Sequence, residues 1–548
     1  MKWWQDKVIY QIYPRSFKDS NGDGIGDLKG IIEKIDYLSE LGVGAIWLCP
    51  VYQSPNKDNG YDISDYQEIQ SLFGTMEDLE LLIEKAREKN IYLLMDLVVN
   101  HTSDQHPWFI EARKNKENDY RAFYIWRDGD EGEVPNTLSS VFSGSAWTYD
   151  SPSSQYYLHL FTKEQPDLNW KHKEMREKIY QMMNFWAEKG IGGFRLDVID
   201  LIGKEPDLEI TANGPLLHDY VHEMNQNVFS KYEDMLTVGE TWGATPEIGK
   251  QFSDPAREEL SMIFQFEHMM LDQQEGKDSS NKWALKPLEI SQLKAVMSKW
   301  QTALGNVGWN SLFWNNHDLP RIVSRWGNDQ TYWMESAKLF AILLHFMKGT
   351  PFVYQGEEIG MTNIVVSDID QVDDIESRNM YFDRINKGYS KEQLLHAINV
   401  KGRDNARTPM QWNGSVYAGF SSGQPWLCVN DNYETINVEN QLHDPASILS
   451  TYRQLIHYRK NNELIVFGEY ELLDTEEEVF SYLRYNDTEA ILVVTNLSEK
   501  AHRFVYPKNL VLKEQIISNY PNQEIYAEQI ELKPYMAYAV KVAIQKKC

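Results

Sequence analysis

Gly193-Phe-Arg-Leu-Asp-Val-Ile-Asp200 reads as a short apolar strand that ends on a carboxylate, Asp197. Two further segments share that design. Thr237-Val-Gly-Glu-Thr-Trp-Gly243 brings an apolar run to Glu240, and Ser311-Leu-Phe-Trp-Asn-Asn-His-Asp318 brings one to Asp318. A hydrophobic strand ending in an acid sets that charge at the rim of a sheet. Three such rims converging make an acid pocket, the arrangement that cleaves glycosidic bonds.

Working outward from Gly193, strand-like runs alternate with helical patterns along the chain. The others are Val8–Tyr13, Ala45–Leu48, Ile91–Asp96, Leu236–Glu240, Ser261–Phe266, Ser311–Trp314 and Pro351–Tyr354. Eight β-then-α units predict an α/β fold, a (β/α)8 TIM barrel. Between them, Thr75 and Asp78 form a capping box, and Leu79, Leu82, Ile83 and Ala86 follow at helical spacing. Ile179, Met182, Met183 and Trp186 repeat that stripe before the fourth strand, and both stripes read as barrel-facing core.

The gap between strands three and four is longer than one helix needs. It predicts an inserted subdomain over 101–172, with the barrel in 1–100 and 173–475. A second excursion, from Gln355 to Trp412, follows strand eight. From Val479 the pattern becomes short alternating runs, which predicts a C-terminal antiparallel β domain over 476–548.

Composition narrows the partners. With 54 Lys and Arg against 81 Asp and Glu, the net charge of −27 argues against nucleic acid and anionic membranes. The three cysteines, Cys49, Cys428 and Cys548, form neither a disulfide framework nor a zinc motif. The sequence shows no signal peptide and no apolar run of membrane-spanning length, so a cytoplasmic protein is expected, with a monomer favoured.

Glycoside cleavage needs a proton donor for the bridging oxygen and a carboxylate on the other face of the anomeric carbon. Asp197 and Glu240, on neighbouring strands, can supply both. Arg195 shares a strand face with Asp197, and a guanidinium there is expected to hold Asp197 ionised. Glu240, in a drier wall, is expected to keep its proton.

Asp96-Leu-Val-Val-Asn-His101, Gly193–Asp197, Val238-Gly-Glu240 and Asn316-His-Asp318 resemble, in order, the four short motifs of the α-amylase family, glycoside hydrolase family 13. The resemblance implies a retaining mechanism. Asp197 is then the nucleophile, Glu240 the acid and base, and Asp318 the stabiliser of the transition state. His101, Arg195 and His317 would bond the sugar ring.

Gln165-Pro-Asp-Leu-Asn169 resembles the oligo-1,6-glucosidase branch of that family. Lys57–Asp62 and Gly402–Arg407 resemble its exo-acting α-glucosidases, which implies that Asp58 and Arg403 clamp the terminal 4-hydroxyl and that Tyr61 stacks on the sugar. Only a chain end satisfies a charged pair across one hydroxyl. Val198 after the nucleophile implies α-1,6 preference, where threonine or alanine would imply α-1,4. Glu240–Pro246 and Phe313–Pro320 are similar to the glucan 1,6-α-glucosidases of the branch, which implies Trp242 and Lys282 at the +1 subsite.

Asp19-Ser-Asn-Gly-Asp-Gly-Ile-Gly-Asp27 alternates oxygen donors and glycines, as a loop for a hard cation does. Gly30 stands where an EF-hand needs its bidentate Glu, so an EF-hand is excluded. A single structural site remains, with Asp19, Asn21, Asp23 and Asp27 giving side chains and Ile25 its carbonyl. The family resemblance implies Ca2+ there; no organic cofactor is expected.

The expected substrate is an oligosaccharide, an isomaltooligosaccharide or dextran-type glucan cut by an exo-acting α-1,6-glucosidase. An α-1,4-glucosidase, a sucrose isomerase and a trehalose-6-phosphate hydrolase are alternatives on the same frame. An amylase-like binding protein without activity is disfavoured because all three acids are present.

Overall fold

The computed structural model describes residues 1–274, 282–305, 307–521 and 528–545. Cys548 lies outside the described residues. Eight parallel strands surround a packed interior. They are β1 Ile9–Ile12, β2 Ala45–Leu48, β3 Tyr92–Leu97 and β4 Gly193–Leu196. β5 Leu236–Thr241, β6 Met262–Gln265, β7 Ser311–Leu312 and β8 Thr350–Tyr354 follow. Their lateral order is β6-β5-β4-β3-β2-β1-β8-β7, and a parallel bridge from Ile263 to Asn310 closes the ring.

Most of these strands are buried along their whole length, as parallel strands covered on both faces must be. β7 stops two residues short of the predicted Trp314. The Phe313 carbonyl leaves the ladder and accepts from His268 Nε2 at 3.1 Å. At the start of β4 a Cβ on Gly193 would meet the Leu236 carbonyl oxygen at 1.8 Å, so only glycine fits between the neighbouring strands.

The helix Met76–Glu88 opens with the expected capping box: Asp78 N donates to Thr75 Oγ1, and Thr75 N to Asp78 Oδ2. Leu79, Leu82, Ile83 and Ala86 are buried, as are Ile179, Met182, Met183 and Trp186 of the helix Lys173–Glu188.

After β3 the chain forms a three-stranded antiparallel sheet of Trp126–Asp128, Trp147–Asp150 and Gln155–Leu158. It carries its own small core around Trp147, Tyr156 and Leu158. The excursion after β8 holds the helices Ile375–Asn386 and Lys391–Lys401 before Arg403. Beyond the barrel, Glu469–Leu472, Val479–Tyr485, Ala490–Asn496, Ala537–Ile544 and Leu510–Ser518 form a five-stranded antiparallel sheet. Among the described residues no helix is long and apolar enough to cross a membrane.

Candidate active site

Leu196 of β4 pairs with Gly239 of β5, so Asp197 and Glu240 follow on adjacent strands one step past that rung. Arg195, one of the largest fully buried side chains, joins them. Its Nη1 donates to Asp197 Oδ1 at 2.7 Å and its Nη2 to Glu240 Oε2 at 2.6 Å. The same Nη1 reaches Asp96 Oδ1 at 2.9 Å. Glu240 takes two more donors, the Val198 backbone N–H at 3.1 Å and Trp242 Nε1 at 2.9 Å. The Trp242 ring lies on Phe266 at 3.9 Å between centroids.

From Asp96 the network continues to the other rims. The Tyr61 hydroxyl donates to Asp96 Oδ2 at 3.0 Å, and the Tyr61 ring stacks on His317 at 5.2 Å. His317 contacts Asp318 Oδ2 through Nε2 at 3.2 Å, while its Nδ1 accepts from Gln11 at 2.8 Å. That acceptor role fixes the tautomer with the proton on Nε2. Asp318 also accepts from Arg407 at 2.8 Å and Arg403 at 3.3 Å. Arg403 reaches Asp58 at 3.1 Å, and Gln165 bonds both Asp58 and His101. Lys282 enters through Glu376, at 2.6 Å, which in turn lies 3.5 Å from Arg403. All twelve catalytic and sugar-binding residues expected from the sequence therefore fall in one linked group.

The charges within it are divided. Burial raises the Asp197 carboxyl well above its ordinary range; Arg195 pulls it down, and Glu240 and Asp96 push it up. This corrects the expectation that Arg195 holds Asp197 ionised: burial outweighs a single guanidinium that is shared among three carboxylates. Burial also raises Asp58, to about 6, against the pull of Arg403 and Arg407. Burial acts to raise Asp318 too, but His317, Arg403 and Arg407 outweigh it and hold the carboxyl well below the usual range. Burial depresses His317 to about 3 and His101 to about 4, so both rings are neutral donors or acceptors near pH 7.

Asp96, Arg407, Gln165, Asp374 and Glu376 also belong to this group. The first three stand inside motifs read from the sequence, where only their neighbours received roles. Asp374 and Glu376 lie in the excursion after β8, and Asp374 Oδ1 accepts from Arg403 Nε at 2.7 Å. Nothing in the local sequence marks that contact.

The Asp19–Asp27 loop stands outside the group. Asp19 Oδ1 accepts from the N–H groups of Asn21 and Gly22, and Oδ2 from Gly24 N–H and the Ser421 hydroxyl. Asn21 accepts from Asp23 N–H, Asp23 from Ile25 N–H, and Asp27 from Ser20 and Gly30. Among the described residues no three His, Cys, Asp or Glu side chains come together to hold a metal ion.

Known proteins share this architecture. The family model for the α-amylase catalytic domain matches residues 11–468, and that for the C-terminal domain of the α-amylase SusG matches 479–538. The glucan 1,6-α-glucosidase of Streptococcus pneumoniae is 56% identical, with 99% of each chain covered. The oligo-1,6-glucosidase of Bacillus cereus is 52% identical, again over 99% of each. Among solved structures, Bacillus licheniformis trehalose-6-phosphate hydrolase superimposes with a TM-score of 0.94 at 45% identity, covering 99% of this chain and 100% of that one. Isomaltulose synthase from Klebsiella gives 0.96 at 41%, with the same coverage. The carboxyl-rimmed barrel and these matches together make the chain a member of the α-amylase family, glycoside hydrolase family 13.

Proposed function

We propose that this enzyme is a retaining exo-α-glucosidase that releases glucose from the non-reducing end of α-1,6-linked isomaltooligosaccharides and dextran-type glucans. The observation that carries the reading is the Asp58–Arg403 contact at 3.1 Å beside the Arg195-bridged carboxyl pair. Such a clamp ends the pocket with charged groups that one terminal sugar hydroxyl can bond. An internal glucose unit would leave them desolvated and unpaired.

In this reading an oxygen of Asp197 attacks the anomeric carbon as the bond to the bridging oxygen breaks. Glu240 gives its proton to that oxygen, and the shortened glucan leaves. Glu240 then takes a proton from water, the hydroxide attacks the same carbon, and the Asp197 ester opens with configuration retained. Arg195 bonds both carboxyls, so it can steady negative charge on either as the proton moves. Asp318, kept anionic by its two arginines, faces the positive charge that develops on the ring.

The relatives named for α-1,6 cleavage and the valine at 198 support the linkage. Trehalose-6-phosphate is disfavoured, because Lys282 is already paired with Glu376 and a phosphate there would face a carboxylate. The deciding measurement compares isomaltotriose with maltotriose at matched concentrations. Faster release of glucose from isomaltotriose is expected; faster maltotriose hydrolysis overturns the linkage. Asp197→Ala should abolish turnover, and residual normal activity would remove it from the nucleophile role.

A further inference from the structure

Asp272, which follows β6, is buried, and its carboxylate collects four donors. Arg325 grips it with two prongs, Nε to Oδ2 at 2.7 Å and Nη2 to Oδ1 at 2.8 Å. Trp326 Nε1 adds a bond to Oδ2 at 2.9 Å, and the Lys401 ammonium donates to Oδ1.

Three segments distant in sequence meet at this carboxylate, and each leads to the substrate pocket. Arg325 closes the short helix Ile322–Arg325 in the stretch after Asp318. The Asp272 carbonyl accepts from Lys286 N–H at 3.0 Å, and Gln273 bridges to Leu285, which fixes the chain just after Lys282. Lys401 is the last residue of the helix Lys391–Lys401, and Arg403 follows two positions later. Gly402 joins them without slack: its N–H donates to the Ile398 carbonyl at 2.7 Å, and a Cβ there would meet that oxygen at 2.7 Å.

The helices Ile375–Asn386 and Lys391–Lys401 pack on a small apolar core of their own, around Met380, Leu394 and Ile398, separate from the barrel core. Apolar packing therefore holds these helices to each other. At the end of the second helix the tie to the barrel is the contact between Lys401 and Asp272.

Charge balance alone does not account for that lysine. Burial would raise Asp272, but Arg325 and Lys401 hold it well below the usual carboxylate range. Arg325 by itself already supplies one positive charge for that one carboxylate. Burial and Arg325 lower Lys401 to about 7, so its ammonium is desolvated beside a second cation. A second buried cation on a carboxylate that is already paired is a net cost to folding.

We propose that Lys401 is a positioning residue: bound to Asp272, it latches the end of its helix to the barrel and so fixes the Arg403 guanidinium against Asp58 and Asp318. The inference rests on the clamp proposed above.

The test is Lys401→Met, which keeps the length of the stem and removes the donor, made in the unmodified enzyme and in Arg403→Gln. Because Arg325 still neutralises Asp272, the variant should fold, as its melting curve will show; should it not, Lys401→Gln carries the same comparison. KM and kcat are taken on isomaltose and on maltose, so the comparison survives either linkage. In the unmodified enzyme Lys401→Met should raise KM about fivefold with kcat changed less than about twofold. In Arg403→Gln the same change should raise KM less than about twofold, since the group it positions is gone. An equal rise in both backgrounds overturns the latch, because a general loosening of the fold does not depend on Arg403. So does an unchanged KM in Lys401→Met beside a raised KM in Arg403→Gln. An unchanged KM in Arg403→Gln itself would remove the clamp, and the latch with it, so the two failures are distinguishable.

Discussion

Val198 donates its backbone N–H to Glu240 Oε2 at 3.1 Å from a left-handed conformation, φ 36° and ψ 44°. A β-branched residue avoids that region, and holding one there costs about 1–3 kcal/mol. The strain turns the peptide after the proposed nucleophile onto the proposed acid and leaves the Val198 side chain 6% exposed at the same turn.

Val198→Ala keeps the N–H and removes two methyl groups. We expect the ratio of kcat/KM for isomaltotriose to that for maltotriose to fall at least tenfold, within the 10–200-fold scale of small changes in an apolar wall. An unchanged ratio would take linkage preference away from this position.

Asp374 supports the clamp from behind. It bonds Arg403 at 2.7 Å and caps the helix Ile375–Asn386 through the N–H groups of Glu376 and Ser377. Asp374→Asn retains a capping side chain and loses the charge. Arg403 then orients less firmly toward Asp58, an interaction made in the ground state as well as the transition state. KM for isomaltose should rise about tenfold with kcat changed less than about threefold. An equal fall in kcat and kcat/KM would instead mark Asp374 as acting only in the transition state.

The barrel was legible because parallel strands buried on both faces are continuous apolar runs, and each of the eight carries that signal. The Arg195–Asp197 contact was legible from strand alternation alone. What alternation does not report is sharing. Arg195 also faces Asp96 on β3 and Glu240 on β5, so burial, helped by those two carboxylates, raises Asp197 against its pull. Asp374 meets Arg403 across a loop with no periodicity to read. The left-handed Val198 was invisible for a different reason, since valine is the residue a sequence reader would place there last. In the Asp19–Asp27 loop the donors recur as a cation site requires, but their spacing also suits side chains that bond the backbone two residues on, and those are the bonds formed.

Glu357 gives the enzyme a measurable pH signature. It accepts from Asn315 at 2.5 Å and from the Tyr452 hydroxyl at 2.8 Å, beside Glu358, and burial raises it from 4.5 to about 7. Between those pH values the folded chain holds a proton that the unfolded chain has released. Stability therefore falls as pH rises through this window, by about 3 kcal/mol from this group, and is flat above it. Glu357→Gln removes the titration, and the Tyr452 hydroxyl can turn to accept. Denaturant midpoints of the variant should decline less between pH 4.5 and 7 than those of the unmodified enzyme; parallel curves would refute the assignment.

The Asp19–Asp27 loop makes a prediction about metal removal. Its carboxylates bond its own backbone and Ser421, and none contacts the linked group around Arg195. Dialysis against a chelator should leave kcat/KM for isomaltose within about twofold. A larger loss, restored by calcium, would show that the loop gathers a donor set in solution.

Trp242 offers a way to separate proton transfer from nucleophilic attack in the proposed mechanism. Its Nε1 donates to Glu240 Oε1 at 2.9 Å, while its ring is held on Phe266. Trp242→Phe keeps the stacking and deletes the hydrogen bond. A hydrogen bond contributes about 0.5–1.5 kcal/mol, so kcat for isomaltose should fall roughly 3–10-fold as Glu240 loses its orientation. An aryl α-glucoside with an acidic phenol leaves without a proton, so its glycosylation step should be nearly unaffected by the same change. Equal losses on both substrates would place Trp242 in sugar binding instead, where it would act on leaving groups of every acidity alike.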